Sequence, residues 1–414
     1  MGRIPLFFAG AVCAALLGAR TAGAQTALEL ISSWPSQQGT GLGALLLRFG
    51  ALHPDIAVTA ASDTGGIDAD ALVRSRMLVG DPPDAFQVGA GREVIDSWVL
   101  AGRMQDLSSL YAAEGWASKF PKSMLALLSG RGGTWSVPLA VRRSNLLWFI
   151  PSRIRGWGMK IPRTLDDLIS ACKALQAGGV AYPLALGDNA TRLDLWESIA
   201  LATLGPTGWS HLWSGKLQLN DPRMVKAWDT FGQLAAYANP DDAGLSWRQA
   251  TDKIVSGDAA FCILGDWAAG YMSDSLGMVP GDDFGWAPSP GTRGLFIMTC
   301  DAFGLPKGAR HKTASMTWLR FIGSREAQDA FNPSMGTIPA RLDADLSKYG
   351  LCAQSTARDW KSNTIVGSLV HGMVAPETFT AQLGTVMDIY FNGMSSQAAV
   401  NAMQAIACQV RLGS

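Results

Sequence analysis

Short apolar runs alternate along this chain with stretches whose apolar side chains recur every three to four residues. Residues 27–31 form a run apolar enough for a buried strand, 32–40 are polar, and 42–52 place leucines and Phe49 at helical spacing. His53-Pro54-Asp55 stops that helix, and 56–60 read as the next strand. Residues 68–79 are helical; Gly80-Asp81-Pro82-Pro83 then breaks the pattern before a third strand at 84–88. The alternation returns downstream. A Thr-capped helix is predicted at 164–177, a short strand at 182–186, a long helix from 221 to 238 and another helix at 247–255. A buried strand at 259–264 and a strand at 284–287 follow. Strand and helix in turn predict an α/β protein, with a mostly parallel sheet covered by helices.

A chain of 414 residues exceeds what one core usually serves, so two lobes are expected. Strand-like or Pro/Gly-punctuated stretches at 135–140 and 288–291 are the candidate crossings. They place an N-terminal lobe at 25–138, with 290–345 returning to it. A C-terminal lobe then covers 139–289, with 346–414 packing on it. Two lobes joined by more than one strand make a hinge, and the cleft between them is the natural ligand site.

The first residues address the compartment. Arg3 is followed by an apolar stretch at 5–17, and Ala22-Gly23-Ala24 has the small-x-small pattern read by signal peptidase. Residues 1–24 are therefore expected to be a cleaved signal peptide, sending the chain to the periplasm. The apolar stretch is shorter than the roughly 20 residues a membrane-spanning helix needs. Cleavage removes Arg3 and Arg20 but no acid, so 34 basic against 34 acidic side chains become a small acidic excess. That balance excludes a nucleic-acid partner. In an oxidising compartment Cys352 and Cys408 are the candidate disulfide, while Cys172, Cys262 and Cys300 sit among apolar residues and are expected as buried thiols.

Catalytic patterns are thin. Four histidines (His53, His211, His311 and His371) form no HExxH, there is no GxSxG, and no Cys/His spacing suits a metal. No catalytic residue, cofactor or metal is expected. His53 and His311 read as solvated residues, and the pairs Asp241-Asp242 and Asp282-Asp283 as turn formers. Gly39, Gly41 and Gly43 fall where a dinucleotide fingerprint would, but the long polar loop before the helix does not make its tight turn. Tryptophan is more informative. The chain has fifteen, and Trp34, Trp247 and Trp267 follow Ser32-Ser33, Leu245-Ser246 and Gly265-Asp266. An indole covers the C–H face of a sugar ring while neighbouring polar side chains bond its hydroxyls.

Several motifs in order complete the reading. They include Ile31-Ser32-Ser33-Trp34, Ser75-Arg76-x-x-x-Gly80-Asp81-Pro82-Pro83-Asp84-Ala85-x-Gln87 and Val137-Pro138-x-x-x-Arg142-Arg143-x-Asn145-x-x-Trp148. Gly265-Asp266-Trp267, Pro290-Gly291-Thr292, Gly336-Thr337-Ile338-Pro339-Ala340-Arg341 and Gly367-Ser368-Leu369-Val370-His371-Gly372 follow. With them the chain resembles family 1 extracellular solute-binding proteins of ABC transporters, within them the glucose/mannose type. The resemblance implies a two-lobe periplasmic binding protein fold with a multi-strand hinge. It implies a monomer that binds a sugar or sugar-like ligand in the cleft and delivers it to a permease. Trp34, Trp247 and Trp267 stand where such proteins sandwich the sugar, Asp301 and His371 match residues on its hydroxyls, and Gln87 ends the Pro-Pro-Asp strand. Three polar positions depart from the pattern: Gly39 replaces a Glu, Gly89 stands near a Lys position, and Met335 replaces a Lys. The pocket is therefore expected to be roomier and less charged than the glucose type, with Gln37 and Gln38 supplying contacts. An exported carbohydrate-active enzyme and a ligand receptor for a sensor protein stay open as alternatives. The enzyme needs a second carboxylate facing Asp301.

Overall fold

The computed structural model describes residues 25–34, 36, 40–62 and 68–410; residues 1–24, Gln37, Gln38 and Gly39 lie outside the described residues. The strands are β1 (Thr26–Ser32), β2 (Ile56–Ser62), β3 (Ala85–Gly89), β4 (Ser129–Gly130), β5 (Gly133–Thr134), β6 (Ser136–Arg143) and β7 (Leu146–Phe149). After them come β8 (Leu184–Ala185), β9 (Phe261–Leu264), β10 (Gly285–Pro288), β11 (Leu295–Gly304), β12 (Ile338–Pro339) and β13 (Thr364–Gly367). Two main sheets result. One has seven strands in the order β12-β6-β11-β3-β1-β2, with β13 added beside β11; the other has four in the order β10-β7-β9-β8. The β4–β5 hairpin stands apart.

Local chemistry explains the elements. Thr40 caps the helix Gly41–Leu52 by accepting from Gly43 N at 3.1 Å, and Leu42, Leu45 and Phe49 turn one face inward. Burying such side chains contributes about 2 kcal/mol each. Reciprocal Thr164/Asp167 and Ser246/Gln249 boxes start the helices Leu165–Ala177 and Trp247–Ser256. Gly80 ends the helix Ala69–Val79 at φ 79°, a left-handed conformation that favours glycine.

The helix Asn189–Trp213 has no counterpart among the elements read from the sequence. Its first half is buried on every side, and Gly205-Pro206 breaks it, with Gly205 at φ 69°. Burial all round erases the periodicity that marks a surface helix.

Of the two passages between the sheets read from the sequence, the first lies elsewhere. β6 runs unbroken from Ser136 to Arg143 in the larger sheet, and β7 begins the smaller one at Leu146. The first passage is thus Ser144-Asn145, not 135–140. The return runs from the end of β10 to Leu295, taking in the 288–291 stretch. Asn145, fully buried, stitches the two passages together. Its Nδ2 donates to Thr292 Oγ1 at 2.9 Å, its Oδ1 accepts from Ile297 N at 3.0 Å, and its carbonyl accepts from Ser289 N at 3.0 Å. Within 346–414 the strand β13 pairs with β11 of the larger sheet, while the helices Glu377–Phe391 and Ser396–Gln409 pack with Asn189–Trp213 and Pro222–Ala235.

The expected disulfide is absent. Cys352 is buried in the helix Leu351–Ser362 against β12, and Cys408 is exposed in Ser396–Gln409; both are free thiols. The two helices pack on different partners, so the cysteines do not meet. Cys172, Cys262 and Cys300 are buried free thiols, as their apolar surroundings predict.

Candidate functional site

The end of β3 and the middle of β11 lie by the loop that follows β13, where several sequence-predicted residues are found. Asp301 lies in register with Gly89 on one side and Ala140 on the other. Its Oδ2 is 3.2 Å from Arg142 Nε, which holds the carboxylate within the sheet face. Arg142 was not among the residues picked out as ligand contacts.

His371 lies in the loop that follows β13. Trp267 meets it edge to face, with centroids 5.2 Å apart and planes at 75°. The indole can lie so flat because Gly265 has no side chain: a Cβ there would overlap the six-membered ring. Behind the imidazole, Asp194 Oδ1 is 3.5 Å from Nε2, an ion-pair distance that is long for a hydrogen bond. Burial opposes charge on His371, but the Asp194 carboxylate, with Glu197 further back, raises its pKa above the ordinary value. Burial likewise raises the pKa of Asp194 itself.

Glu197, one turn along the same helix, anchors the loop. Its Oε2 accepts from Ser368 Oγ at 3.0 Å, Leu369 N at 2.5 Å and Val370 N at 3.0 Å, and its Oε1 accepts from Ser144 Oγ at 3.1 Å. Full burial pushes its pKa up to about 7 despite these bonds. Asp266, before Trp267, is also buried and pushed up to about 7, with Oδ2 accepting from Arg143 N at 3.0 Å. Neither acid was visible as a partner in the sequence, since each is defined by what folds onto it.

The remaining predicted residues are more dispersed. Trp247 meets Tyr271 edge to face at 5.7 Å, with the Arg248 guanidinium over both rings. Trp34 is 9% exposed and packs on Phe331 and Phe303 at 4.5 and 6.0 Å, so most of its indole serves the core. Gln87 Oε1 accepts from Ser32 Oγ, Ser33 N and Ser33 Oγ at 2.6, 3.0 and 3.0 Å, tying β3 to β1. Met335 packs where Gly41 lacks a side chain; a Cβ there would be 2.6 Å from Met335 Cγ. The structure thus brings Asp301, Trp267 and His371 into one neighbourhood and gives Trp34, Gln87 and Met335 strong packing or scaffold contacts.

The room expected beside Gly89 is occupied. A Cβ on Gly89 would overlap the Glu93 carboxylate, and one on Gly372 would lie 2.6 Å from Glu93 Oε2. Glu93 N donates to Gly372 O at 2.9 Å, and Arg92 N to Met373 O at 3.1 Å, locking this turn against the His371 loop. Nothing in the spacing of Glu93 marks it; only the fold brings it over two glycines.

A family model described as bacterial extracellular solute-binding protein matches residues 33–329. The chain belongs to this family. An uncharacterized ABC transporter extracellular-binding protein of Pyrococcus horikoshii is 32% identical over 371 residues, covering 87% of this chain and 82% of that one. A Mesorhizobium japonicum protein described as a "probable sugar-binding periplasmic protein" is 29% identical, covering 83% and 84%. Among solved structures, the bacterial solute receptor AcbH, described as having an exclusive preference for β-D-galactopyranose, superposes with a TM-score of 0.79 at 16% identity, covering 94% of this chain and 99% of that one. At that identity the match shows the shared two-lobe α/β fold.

Within this solute-binding protein, several motif residues prove to be scaffold. Arg76 donates to Asp81 O and pairs with Glu29, and Asp84 accepts from Glu29 N and His311 N. His311, expected as solvated, has Nδ1 2.8 Å from Asp84 Oδ2. Asp242, expected as a turn former, is buried in a two-pronged pair with Arg192 at 2.7 and 2.9 Å. Among the described residues no cluster of three or more His, Cys, Asp or Glu could hold a metal ion. No helix among them is long and apolar enough to cross a membrane.

Proposed function

We propose that this solute-binding protein is the periplasmic receptor of an ABC transporter, exported by residues 1–24, and that it binds a sugar or sugar-like ligand and delivers it unchanged to a permease. The observation that carries the reading is the Trp267–His371–Asp194 arrangement beside Asp301. An indole edge-fixed by an imidazole offers an apolar face, with an acceptor and a donor at its rim. Family membership and relatives described as sugar-binding support it. Trp34, Gln37, Gln38, Gln87, Trp247, Trp267, Asp301, Met335 and His371 remain the proposed contacts, within the glucose/mannose type but with an altered pocket. The protein acts as a monomer.

The enzyme alternative is weaker than the receptor. The added carboxylates Asp194, Glu197 and Asp266 are buried and turned to His371, the 368–370 loop and Arg143. None of these three is placed to work on a ligand from the open side; Glu93, which lines the cavity next to Gly89, is the one further acid near Asp301, and recovery of the ligand intact decides against a catalytic part for it.

A thermal-shift screen of the mature chain against sugars and polyols tests the reading, because a ligand bound only by the native state raises the midpoint. A hit that Trp267→Ala weakens about tenfold, and that is recovered chemically intact, is expected. A panel without any shift, or turnover of the ligand, overturns it.

A further inference from the structure

The wall at Gly89 and Gly372 carries a carboxylate with no counterpart elsewhere in the site. Gly89 pairs in register with Asp301, and Gly372 follows His371 in the chain, so the space over both glycines borders the proposed site. Glu93 fills that space so closely that neither position tolerates a Cβ beside it. Asp301 has Arg142, Asp266 has the Arg143 amide, and Glu197 has four donors. Among the described residues Glu93 has no hydrogen-bond or ion-pair partner for its carboxylate. Shielding an unpaired carboxylate is costly, and its retention marks a place where something else completes it.

The opening beside it suits a ligand. Glu93 lines a cavity of about 500 Å³ that reaches from Ser33 and Gln87 past Gly89 to Glu377 at the start of the helix Glu377–Phe391. Among the described residues Arg74 is the one cationic side chain in its lining, and it leans toward Glu377 at 3.9 Å. The charged groups facing Glu93 are Glu377 and Asp70, which add negative potential, and His371, whose imidazole is turned to Asp194. A neutral polyol would leave the carboxylates facing one another. A ligand ammonium would both pair with Glu93 and relieve their repulsion.

We infer that Glu93 is a specificity-determining contact and that the ligand is a sugar bearing a basic amino group, which Glu93, seated over Gly89 and Gly372, receives from the adjoining cavity. The inference rests on the sugar-receptor reading. Burial, with Glu377 and Asp70 nearby, pushes the Glu93 pKa up to about 7, so a bound ammonium expels its proton.

Calorimetric titration of the mature chain at pH 7 tests it, with glucosamine, galactosamine and mannosamine against glucose, galactose and mannose. At least one amino sugar should bind about tenfold tighter than its neutral parent, as a charge-assisted bond implies. Its heat should vary with the ionisation heat of the buffer, showing proton release. Glu93→Gln, checked for an unchanged melting midpoint, should erase the preference, weakening amino sugars about tenfold more than their neutral parents. The buffer dependence is read on the unaltered protein, so it stands even if the variant folds poorly. Neutral parents binding as tightly as amino sugars, or an equal loss of both in Glu93→Gln, overturns the inference while the receptor reading survives. Binding by no sugar at all overturns the receptor reading and the inference with it.

Discussion

The two polar flanks of the site are built in opposite ways. On the His371 flank every acid is committed: Asp194 backs the imidazole, and Glu197 gathers four donors from two separate segments. On the Gly89 flank Glu93 is held in place by two glycines and two backbone bonds, and its carboxylate has no partner among the described residues. Satisfied networks fix geometry, whereas an unsatisfied group stores an interaction for something not yet bound. The first flank sets where a ligand sits; the second selects what it must bring.

Breaking the committed flank should have the largest effect. Glu197→Ala strands Ser368 Oγ and two loop amides, and should cost about 3–5 kcal/mol in urea denaturation. Glu197→Gln should recover most of that, since its oxygen can accept the three loop donors while its amide donates to a rotated Ser144 hydroxyl. The variant also reports on charge. Native Glu197 keeps its proton up to about 7, whereas an exposed Glu loses it near 4.5. The native state then binds more protons than the unfolded one between those values, so stability falls as pH rises through that window. The Gln variant should show a flatter profile there.

A middle-sized effect belongs to the other flank. Gly89→Ala drives a methyl into the Glu93 carboxylate and should cost about 1–3 kcal/mol. Adding Glu93→Ala should restore part of the loss, and the double-mutant cycle should give a coupling of about 1 kcal/mol. Additive changes would mean that the glycine is not there for the carboxylate. The smallest effect is expected from His371→Asn. The His371–Asp194 contact adds stability below the ordinary His value of 6.5 and loses it as pH rises through the raised one. Being partly open to solvent, it should amount to about 1 kcal/mol or less, read as a lower melting midpoint at pH 6 than at pH 8 relative to the unaltered protein.

The alternating elements were legible because each has a face. Gly41–Leu52, Ala69–Val79, Leu165–Ala177 and Trp247–Ser256 all lie within a residue or so of where periodicity, Thr or Ser caps and glycine stops put them. The helix Asn189–Trp213 escaped because burial on all sides leaves no polar stripe. Of the proposed contacts, Trp267 was singled out by its own type and its place after Gly265-Asp266, whereas Asp301 and His371 came only through the family resemblance. The site was illegible where the chemistry belongs to an environment. Glu93, Asp194 and Glu197 are ordinary helical acids until two glycines, an imidazole and a loop fold onto them. Trp34 shows the converse, an informative residue type largely absorbed by Phe331 and Phe303.

The position of β11 has a consequence for how the molecule is made. This strand sits between β3 and β6 and also carries β13, yet it begins at Leu295, some two hundred residues after β3. A chain emerging from its N-terminus therefore holds β1, β2, β3 and β6 with an open gap at the centre of the sheet, and cannot close it until Gly304 is free. Pairings so distant in sequence are slow to form. Through most of its synthesis, the larger lobe is an incomplete sheet waiting for its middle strand.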